Sequence, residues 1–207
     1  MNKAINKCIQ NNKKSIAKQK TIYGVGINDA DYYTQFTVEG KKMKCPYYSV
    51  WKRMLERCYS AKSQKNKPTY IGCSVDEKWL TFSNFSQWMK TQDWKNKHLD
   101  KDILIKGNKV YSSAGCLFVT KAINSLLITS KASRGDSPIG VNYHKLAGKY
   151  EAKLSINGKK KYLGLFDSKE AAHEAYKIAK YENIKQVAIQ QTEPLRSALL
   201  NYIIEEY

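Results

Sequence analysis

Four polar residues in the middle of the chain have the types and spacing that metal-dependent hydrolysis requires. His98, Asp100 and Asp102 alternate in the segment HLDKDILI, so on a strand they would share one face while Lys101 would point away. Two carboxylates on one face can bind magnesium, and a nearby histidine can activate water for attack on a phosphodiester. Asn124 could supply a further ligand. The pattern predicts a catalytic set of these four residues, with Asp100, Asp102 and Asn124 as the metal ligands and His98 as the base.

The elements that would position these residues lie between residues 98 and 128. The sequence there predicts a strand, a turn at Gly107-Asn108, a second strand and a helix that begins near Thr120. Such a unit can hold one metal ion, because its strands place side chains on a common side and its helix closes the site. The alternative is that His98 and the two aspartates form a solvated strand edge and that Asn124 is an exposed helix residue. The sequence leaves both interpretations open.

The chain before this unit has the pattern of a folded region with both helices and strands. The predicted elements are a hairpin that turns at Glu39-Gly40, a helix over residues 47–59, a strand over 73–75 and a helix over 83–91. Phe82, Phe85 and Trp88 are spaced to face a core at the start of the last helix. We interpret these aromatic residues as core rather than as a platform for stacking bases.

A second informative stretch, from Gly140 to Ala188, predicts three short strands and then a helix. Apolar and charged residues alternate in KYEAKLSI (149–156), which is the period of a half-buried strand. Asn157-Gly158 between two alternating runs predicts a tight hairpin, because both residue types accept a positive φ. The chain therefore indicates a small antiparallel sheet with one polar face.

The helix that follows should pack on the apolar face of that sheet. Asp167 followed by Glu170 resembles a capping box and predicts the start of the helix. The small or aromatic residues Ala172, Ala175, Tyr176 and Ala179 then repeat at helical spacing. A further short helix is predicted from Pro194, since proline fits a first helical turn.

The charge balance favours a polyanionic partner. The chain has 207 residues and a formal net charge of +18, which predicts non-specific attraction to nucleic acid or to an anionic membrane. The sequence has no run of about 18 apolar residues, so we predict no membrane span. The first twenty residues lack the apolar core of a secretory signal. We therefore expect a cytoplasmic protein that binds nucleic acid and not a membrane.

The cysteines give no sign of a metal centre. There are five, widely spaced, and none forms a Cys-x-x-Cys pair. An odd number without a secretion signal fits a reduced chain. A zinc site built from Cys45, Cys58, Cys73 and Cys116 is the alternative, but its spacing has no support. We expect buried apolar cysteines and no zinc.

The stretches GVNYHK, GKYEAKL and KYLGLFDSKEAAHEAY resemble the Apetala-2/ethylene-responsive-factor DNA-binding domain, which phages also carry. In that family a three-stranded sheet enters the major groove and a helix packs behind it. The resemblance implies that double-stranded DNA is contacted by Asn142, His144, Lys149, Lys153, Ser155, Lys160 and Tyr162. Plant members place mostly arginine and tryptophan there. The lysines of this chain favour phosphate contacts over the forked reading of guanine.

The stretches WKRMLERCYS, VDEKWLTFSNFSQWM and LDKDILIKGNKVYSSAGCLFVTKAIN resemble a phage-type HNH endonuclease of the His-Me finger class. The resemblance implies a magnesium- or manganese-dependent DNA endonuclease. An active module of that class has a histidine directly after an aspartate on the first strand. Here Lys101 follows Asp100 and Ile103 follows Asp102, and Gly115 takes the place of the usual Asn before Cys116. The second interpretation is therefore a degenerate module that keeps the fold without the chemistry.

Together these observations predict an α+β protein with an N-terminal HNH-like ββα module and added helices, followed by a three-stranded antiparallel sheet packed on one helix. The predicted organisation is a basic flexible arm over 1–20, an HNH-like domain over 21–130, a linker over 131–138, an Apetala-2-type domain over 139–190 and a C-terminal helix over 191–207. The expected function is a DNA endonuclease targeted by the sheet domain. The alternatives are a non-catalytic DNA-binding regulator or counter-defence protein, and a basic antagonist of an acidic host protein.

Overall fold

The structure is a computed structural model that describes residues 21–38, 40–127 and 137–204. The predicted basic arm, most of the predicted linker and the last three residues lie outside this part of the chain. Contacts between residues divide the chain into two units, Met1–Val119 and Thr120–Tyr207. Both helices and strands occur, as expected for an α+β protein.

The first unit combines short strands with helices. Its strands are β1 (Gln35–Val38), β2 (Lys41–Lys44), β3 (Ser74–Val75), β4 (His98–Asp100), β5 (Val110–Tyr111) and β6 (Leu117–Val119). Its helices are α1 (Pro46–Tyr59), α2 (Ala61–Asn66), α3 (Glu77–Leu80) and α4 (Phe82–Lys90), with a 3-10 turn at Pro68–Tyr70. The strands pair two by two: β1 with β2 and β4 with β6 antiparallel, and β3 with β5 parallel.

The core of the first unit is aromatic. Trp51 of α1 is fully buried and its indole N–H donates to the Trp79 carbonyl at 2.7 Å. Phe82 and Phe85 of α4 are also buried, so the aromatic residues of this helix are core, as predicted. Gly26 permits close packing, because a Cβ there would overlap Leu55 Cδ1.

Local sequence patterns located most elements of the first unit. The predicted helices over 47–59 and 83–91 correspond to α1 and α4, and the hairpin around Gly40 corresponds to β1 and β2. Four of the five cysteines fall in the described part of the chain, and all four are buried and free, as predicted. They are Cys45, Cys58, Cys73 and Cys116.

The second unit contains the predicted three-stranded antiparallel sheet. Its elements are α5 (Lys121–Leu126), β7 (Val141–His144), β8 (Lys149–Ile156), β9 (Lys159–Phe166), α6 (Lys169–Ile189) and α7 (Leu195–Leu200). The strand order is β7-β8-β9. Asn157 and Gly158 both have positive φ, 51° and 78°, at the turn between β8 and β9. This is the hairpin that the sequence predicted.

Helix α6 packs on one face of the sheet. Val141, Ala152 and Ala172 form a buried cluster that joins β7, β8 and the helix. The N-cap is Ser168, whose hydroxyl accepts from the Ala171 N–H at 3.1 Å, so the predicted capping role of Asp167 is wrong by one position. A buried stripe of α6 runs along every fourth residue. It comprises Ala172, Tyr176, Lys180, Ile184 and Ala188.

The division by contacts groups α5 with the C-terminal sheet, and residues 131–136 of the predicted linker lie outside the described part of the chain. The helix that was expected to complete a ββα unit with β4 and β6 is therefore grouped with the C-terminal sheet. No helix in the described part of the chain is long and apolar enough to span a membrane.

Candidate nucleic-acid interface and the Asp100–Asp102 region

The register of the sheet places all seven predicted DNA-contacting residues on one face. Asn142 is opposite Glu151 and His144 is opposite Lys149. Lys153 is opposite Tyr162 and Ser155 is opposite Lys160. Directly paired residues of antiparallel strands project to the same side, and alternate residues of one strand share a side. The residues on this side are Asn142, His144, Lys149, Glu151, Lys153, Ser155, Lys160, Tyr162 and Leu165, which we call the open face.

The open face is the side of the sheet away from α6. The other side carries Val141, Ala152 and Leu154, which are buried. On the open face Asn142, Ser155 and Lys160 are exposed, and 55% of Tyr162 is exposed. The face is therefore a polar surface on a sheet whose other side is buried, which suits contact with a large polar partner.

Two of the three lysines on the open face are paired with carboxylates. Lys149 Nζ lies 3.0 Å from Asp167 Oδ1, and Lys153 Nζ lies 2.7 Å from Glu151 Oε2. The Glu151 side chain is only 15% exposed. Among the residues that the structure describes, Lys160 forms no ion pair. The positive charge available to a partner is consequently smaller than the number of lysines suggests.

A β-bulge changes which residues of β9 belong to the open face. The register between β8 and β9 shifts at Ala152/Lys153, so that Leu163 is the extra residue. Gly164 sits at this point with a φ of 138°. The shift brings Leu165 onto the open face, a residue that strict alternation from Tyr162 would have placed on the other side. Glycine inside a strand is the sequence signal for such a bulge.

His144 and Tyr162 add an imidazole and a hydroxyl group to this face. The Nδ1 atom of His144 accepts from the Ala147 N–H at 3.2 Å, which ties the ring to the turn after β7 and leaves Nε2 for another partner. Tyr162 lies beside Lys153 through its cross-strand pairing. A hydroxyl, an imidazole nitrogen and an ammonium group therefore lie on the same face of the sheet.

The predicted catalytic residues are arranged differently from the prediction. His98 and Asp100 lie on β4, where alternate residues share a side, but the strand ends at Asp100. Asp100 Oδ1 accepts from the backbone N–H groups of Asp102 and Ile103, at 2.8 and 2.9 Å, and so turns the chain. Asp102 does not continue the strand. The expected row of His98, Asp100 and Asp102 on one strand face is therefore wrong.

Lys101 follows Asp100, at the position to which the predicted HNH resemblance would assign a histidine. Its side chain is 4% exposed, and its ammonium lies 2.6 Å from Asp102 Oδ1 and 5.8 Å from the centre of the Tyr111 ring. It also donates to the Asn108 carbonyl at 2.5 Å. The sequence predicted Lys101 to point away from the aspartates, whereas its ammonium contacts Asp102. A fixed cation thus holds a carboxylate that had been expected to bind metal.

The loop between β4 and β5 is held by Asn108 and is not a hairpin turn. The Asn108 amide donates to the carbonyls of Lys101 and Val110, and its oxygen accepts from the Val110 N–H. A turn is present at Gly107, where φ is +73°, as predicted, but the strands on either side of it do not pair with each other, because β4 pairs with β6 while β5 pairs with β3. Such pairing with a distant strand leaves no local pattern in the sequence.

One oxygen of each aspartate that was expected to bind magnesium or manganese is engaged by other groups of the protein. Burial raises the pKa of the Asp100 carboxyl, although its two backbone N–H bonds act in the opposite direction. One oxygen of Asp102 is held by an ammonium ion, which competes with any metal cation. Asn124 belongs to the second unit, on α5. No cluster of three or more His, Cys, Asp or Glu side chains suited to a metal occurs among residues 21–38, 40–127 and 137–204.

The chain matches no protein-family model, no curated protein and no solved structure. The resemblances to Apetala-2 and HNH domains therefore stay predictions. Function has to be inferred from the geometry and charge of the described residues.

Proposed function

We propose that the protein binds double-stranded DNA through the open face of its C-terminal sheet. The observation that carries the proposal is the register, which gathers Asn142, His144, Lys149, Lys153, Ser155, Lys160 and Tyr162 on the side opposite α6. The net charge of +18 supports a polyanionic partner. The apolar side of the sheet packs on a helix, so its polar face can contact a duplex while the hydrophobic core stays buried.

The residue types on the open face suit both parts of a duplex. Lysine ammonium groups are suited to phosphate oxygens, and such contacts position a protein along the backbone. Asn142, Ser155 and Tyr162 carry side-chain donors and acceptors that can meet base edges or phosphates. The major groove is wide enough to admit a β-ribbon. We expect an affinity dominated by phosphate contacts and a modest preference among sequences.

A charge-matched pair of variants tests this proposal. The open-face variant carries Lys149→Ala, Lys153→Ala and Lys160→Ala; the control carries Lys169→Ala, Lys177→Ala and Lys185→Ala on α6. Both remove three positive charges. Duplex affinity is measured by fluorescence anisotropy at several salt concentrations. Because Lys153 is paired with Glu151, we expect phosphate contacts from Lys149 and Lys160 only, so the slope of log affinity against log salt should fall by up to about 1.8 in the open-face variant only. An equal fall in both variants would contradict a specific role for the open face.

HNH-type cleavage stays a prediction and is not the function proposed here. The contacts of Lys101 and Asp102 favour the degenerate interpretation of that module, in which it serves as a scaffold. Plasmid nicking in magnesium and then in manganese tests this, with Asp100→Ala, Asp102→Ala as the control. Cleavage that disappears in the double variant while binding persists would overturn the scaffold interpretation.

The remaining alternative is a basic antagonist of an acidic host protein. In the first hypothesis the basic surface binds a DNA duplex, and in the second it binds an acidic protein. If the wild-type protein fails to bind a duplex even at low salt, the proposal of DNA binding is wrong and the antagonist becomes the working hypothesis.

A further inference from the structure

A polar cleft in the first unit gathers cationic side chains that the open face does not use. It has a volume of about 430 Å³ and lies along the C-terminal half of α1 and along α2. It is lined by Arg53, Glu56, Arg57, Lys62, Ser63, Asn66 and Lys67. Four cationic groups thus face one carboxylate, that of Glu56. Among the residues that the structure describes, none of the four cations forms an ion pair.

Two tyrosine side chains hold the Arg57 guanidinium in place. Its Nη1 donates to the Tyr111 hydroxyl at 3.4 Å, and its guanidinium lies over the Tyr70 ring at 5.4 Å. Both contacts leave most of its N–H groups unused, since a guanidinium carries five. An arginine fixed in this way loses little side-chain entropy when it binds an anion.

The walls of the cleft are also fixed. Ser60 ends α1 and caps α2, where its hydroxyl accepts from the Ser63 N–H at 3.3 Å. The Gln64 amide crosses the junction and donates to the Cys58 carbonyl at 2.7 Å. The turn between the two helices therefore holds Arg53 and Arg57 of α1 near Lys62 of α2. Arg53, Lys62 and Lys67 are exposed, so the mouth of the cleft is accessible to solvent.

We propose that this cleft binds a phosphate group. Like charges in a concavity focus a positive potential, and an anion that enters relieves their mutual repulsion. The guanidinium fork matches two phosphate oxygens, whereas the lysines supply point charges. The phosphate can be free or part of a duplex backbone. The inference that the cleft binds phosphate does not depend on the proposed function. The further inference that this phosphate belongs to duplex DNA does.

The direct test uses inorganic phosphate and the side-chain NMR signals of arginine. The sequence has only four arginines, so the Nε–Hε signals of Arg53 and Arg57 can be assigned by substitution. Arg196 serves as an internal reference, because its Nε donates to the Gln191 carbonyl in the second unit. Sodium phosphate should shift the Arg53 and Arg57 signals saturably, and sodium chloride at equal ionic strength should not. Shifts no larger than that of Arg196 would overturn the proposal.

A second arm identifies the source of the phosphate. The cleft variant is Lys62→Gln, Lys67→Gln; the control, Lys65→Gln, Lys78→Gln, removes the same charge from exposed positions outside the cleft. Because the cleft variant removes two lysines that each meet a phosphate, its salt slope for duplex binding should fall by about 1.8, and that of the control should not. Between about 50 and about 200 mM salt this is a roughly 12-fold smaller loss of affinity. Both variants should unfold in urea near the wild-type midpoint.

The outcomes separate the two proposals. Arginine shifts with phosphate together with an unchanged duplex slope would support the cleft and refute duplex DNA as its source. A protein that binds no duplex but still shows the shifts would refute the proposed function and support the cleft. Absence of the shifts refutes the cleft, whatever the duplex measurement shows.

Discussion

Replacing Glu151 with glutamine should strengthen the binding of duplex DNA, because the change frees a lysine on the open face. In the folded protein Glu151 Oε2 lies 2.7 Å from Lys153 Nζ. The carboxylate is therefore paired with the ammonium group that a DNA phosphate would contact. Its negative charge also repels the phosphates of the DNA backbone. Glutamine has nearly the same shape and no charge.

The size of the effect follows from counterion release. If the freed Lys153 makes one additional phosphate contact, the slope of log affinity against log salt becomes steeper by about 0.9. Taking about 1 M salt as the point where this contribution vanishes, one contact corresponds to roughly 15-fold tighter binding at about 50 mM and roughly 4-fold at about 200 mM. The partly exposed ion pair itself contributes at most about 1 kcal/mol to stability, so the fold should persist.

The matched control is Glu174→Gln. Glu174 lies 2.7 Å from Lys177 within α6, behind the sheet, and its replacement changes the net charge by the same amount. The assay is fluorescence anisotropy with one short duplex over a series of salt concentrations. We expect a steeper slope for Glu151→Gln than for Glu174→Gln. Equal tightening by both variants would refute the reasoning, because overall charge would then explain the effect without any contact at the open face.

Two further predictions concern stability. Gly140→Ala should lower the free energy of unfolding by at least about 2 kcal/mol, since φ is +80° and the new Cβ would overlap the Tyr176 ring. Gly148→Ala, with a φ of +62° and no atom within 4 Å, should cost only about 1 kcal/mol in the same urea titration, and equal decreases would contradict the packing argument. Burial lowers the pKa of Lys180 in the stripe of α6, so the unfolded chain binds the proton more tightly and wild-type stability rises with pH toward the ordinary lysine pKa. Lys180→Met should therefore be more stable than wild type at pH 7, and this advantage should shrink at alkaline pH; a constant difference would show that the charge of Lys180 is not responsible.

The face of the C-terminal sheet could be predicted because two local signals agree. The alternation of residues 149–156 assigns each side chain to one face, and Asn157-Gly158 fixes the turn that sets the register of the next strand. The pairing of Glu151 with Lys153 could not be predicted in the same way. Residues two apart on a strand share a face, but their rotamers decide whether they touch.

The Asp100–Asp102 region could not be predicted because a local hydrogen bond competes with the strand. The alternation of His98, Asp100 and Asp102 favours an extended chain, but Asp100 accepts two backbone N–H groups and ends the strand. The burial of Lys101 could not be predicted from the sequence either. Lysine is rarely buried, and the groups that hold it, Tyr111 and the Asn108 carbonyl, come from the chain beyond β4.

The bulge in β9 lies between these two cases. Gly164 inside an otherwise regular strand is a recognised signal, but the size of the shift depends on pairing with β8. Strict alternation from Tyr162, which ignores the shift, would assign Leu165 to the side that faces α6. The position of a single glycine thus changes the composition of the proposed DNA-binding surface.

The most direct test of DNA binding by the open face is site-specific photocrosslinking. A benzophenone amino acid is placed at Tyr162 in one variant and at Ile178 of α6 in another, positions that are 55% and 64% exposed on opposite sides of the sheet. Each variant is irradiated with a labelled duplex, and the crosslinked fraction is measured on a denaturing gel. We predict crosslinking from position 162 and little from position 178. Crosslinking from position 178 alone, or equally from both positions, would contradict the account.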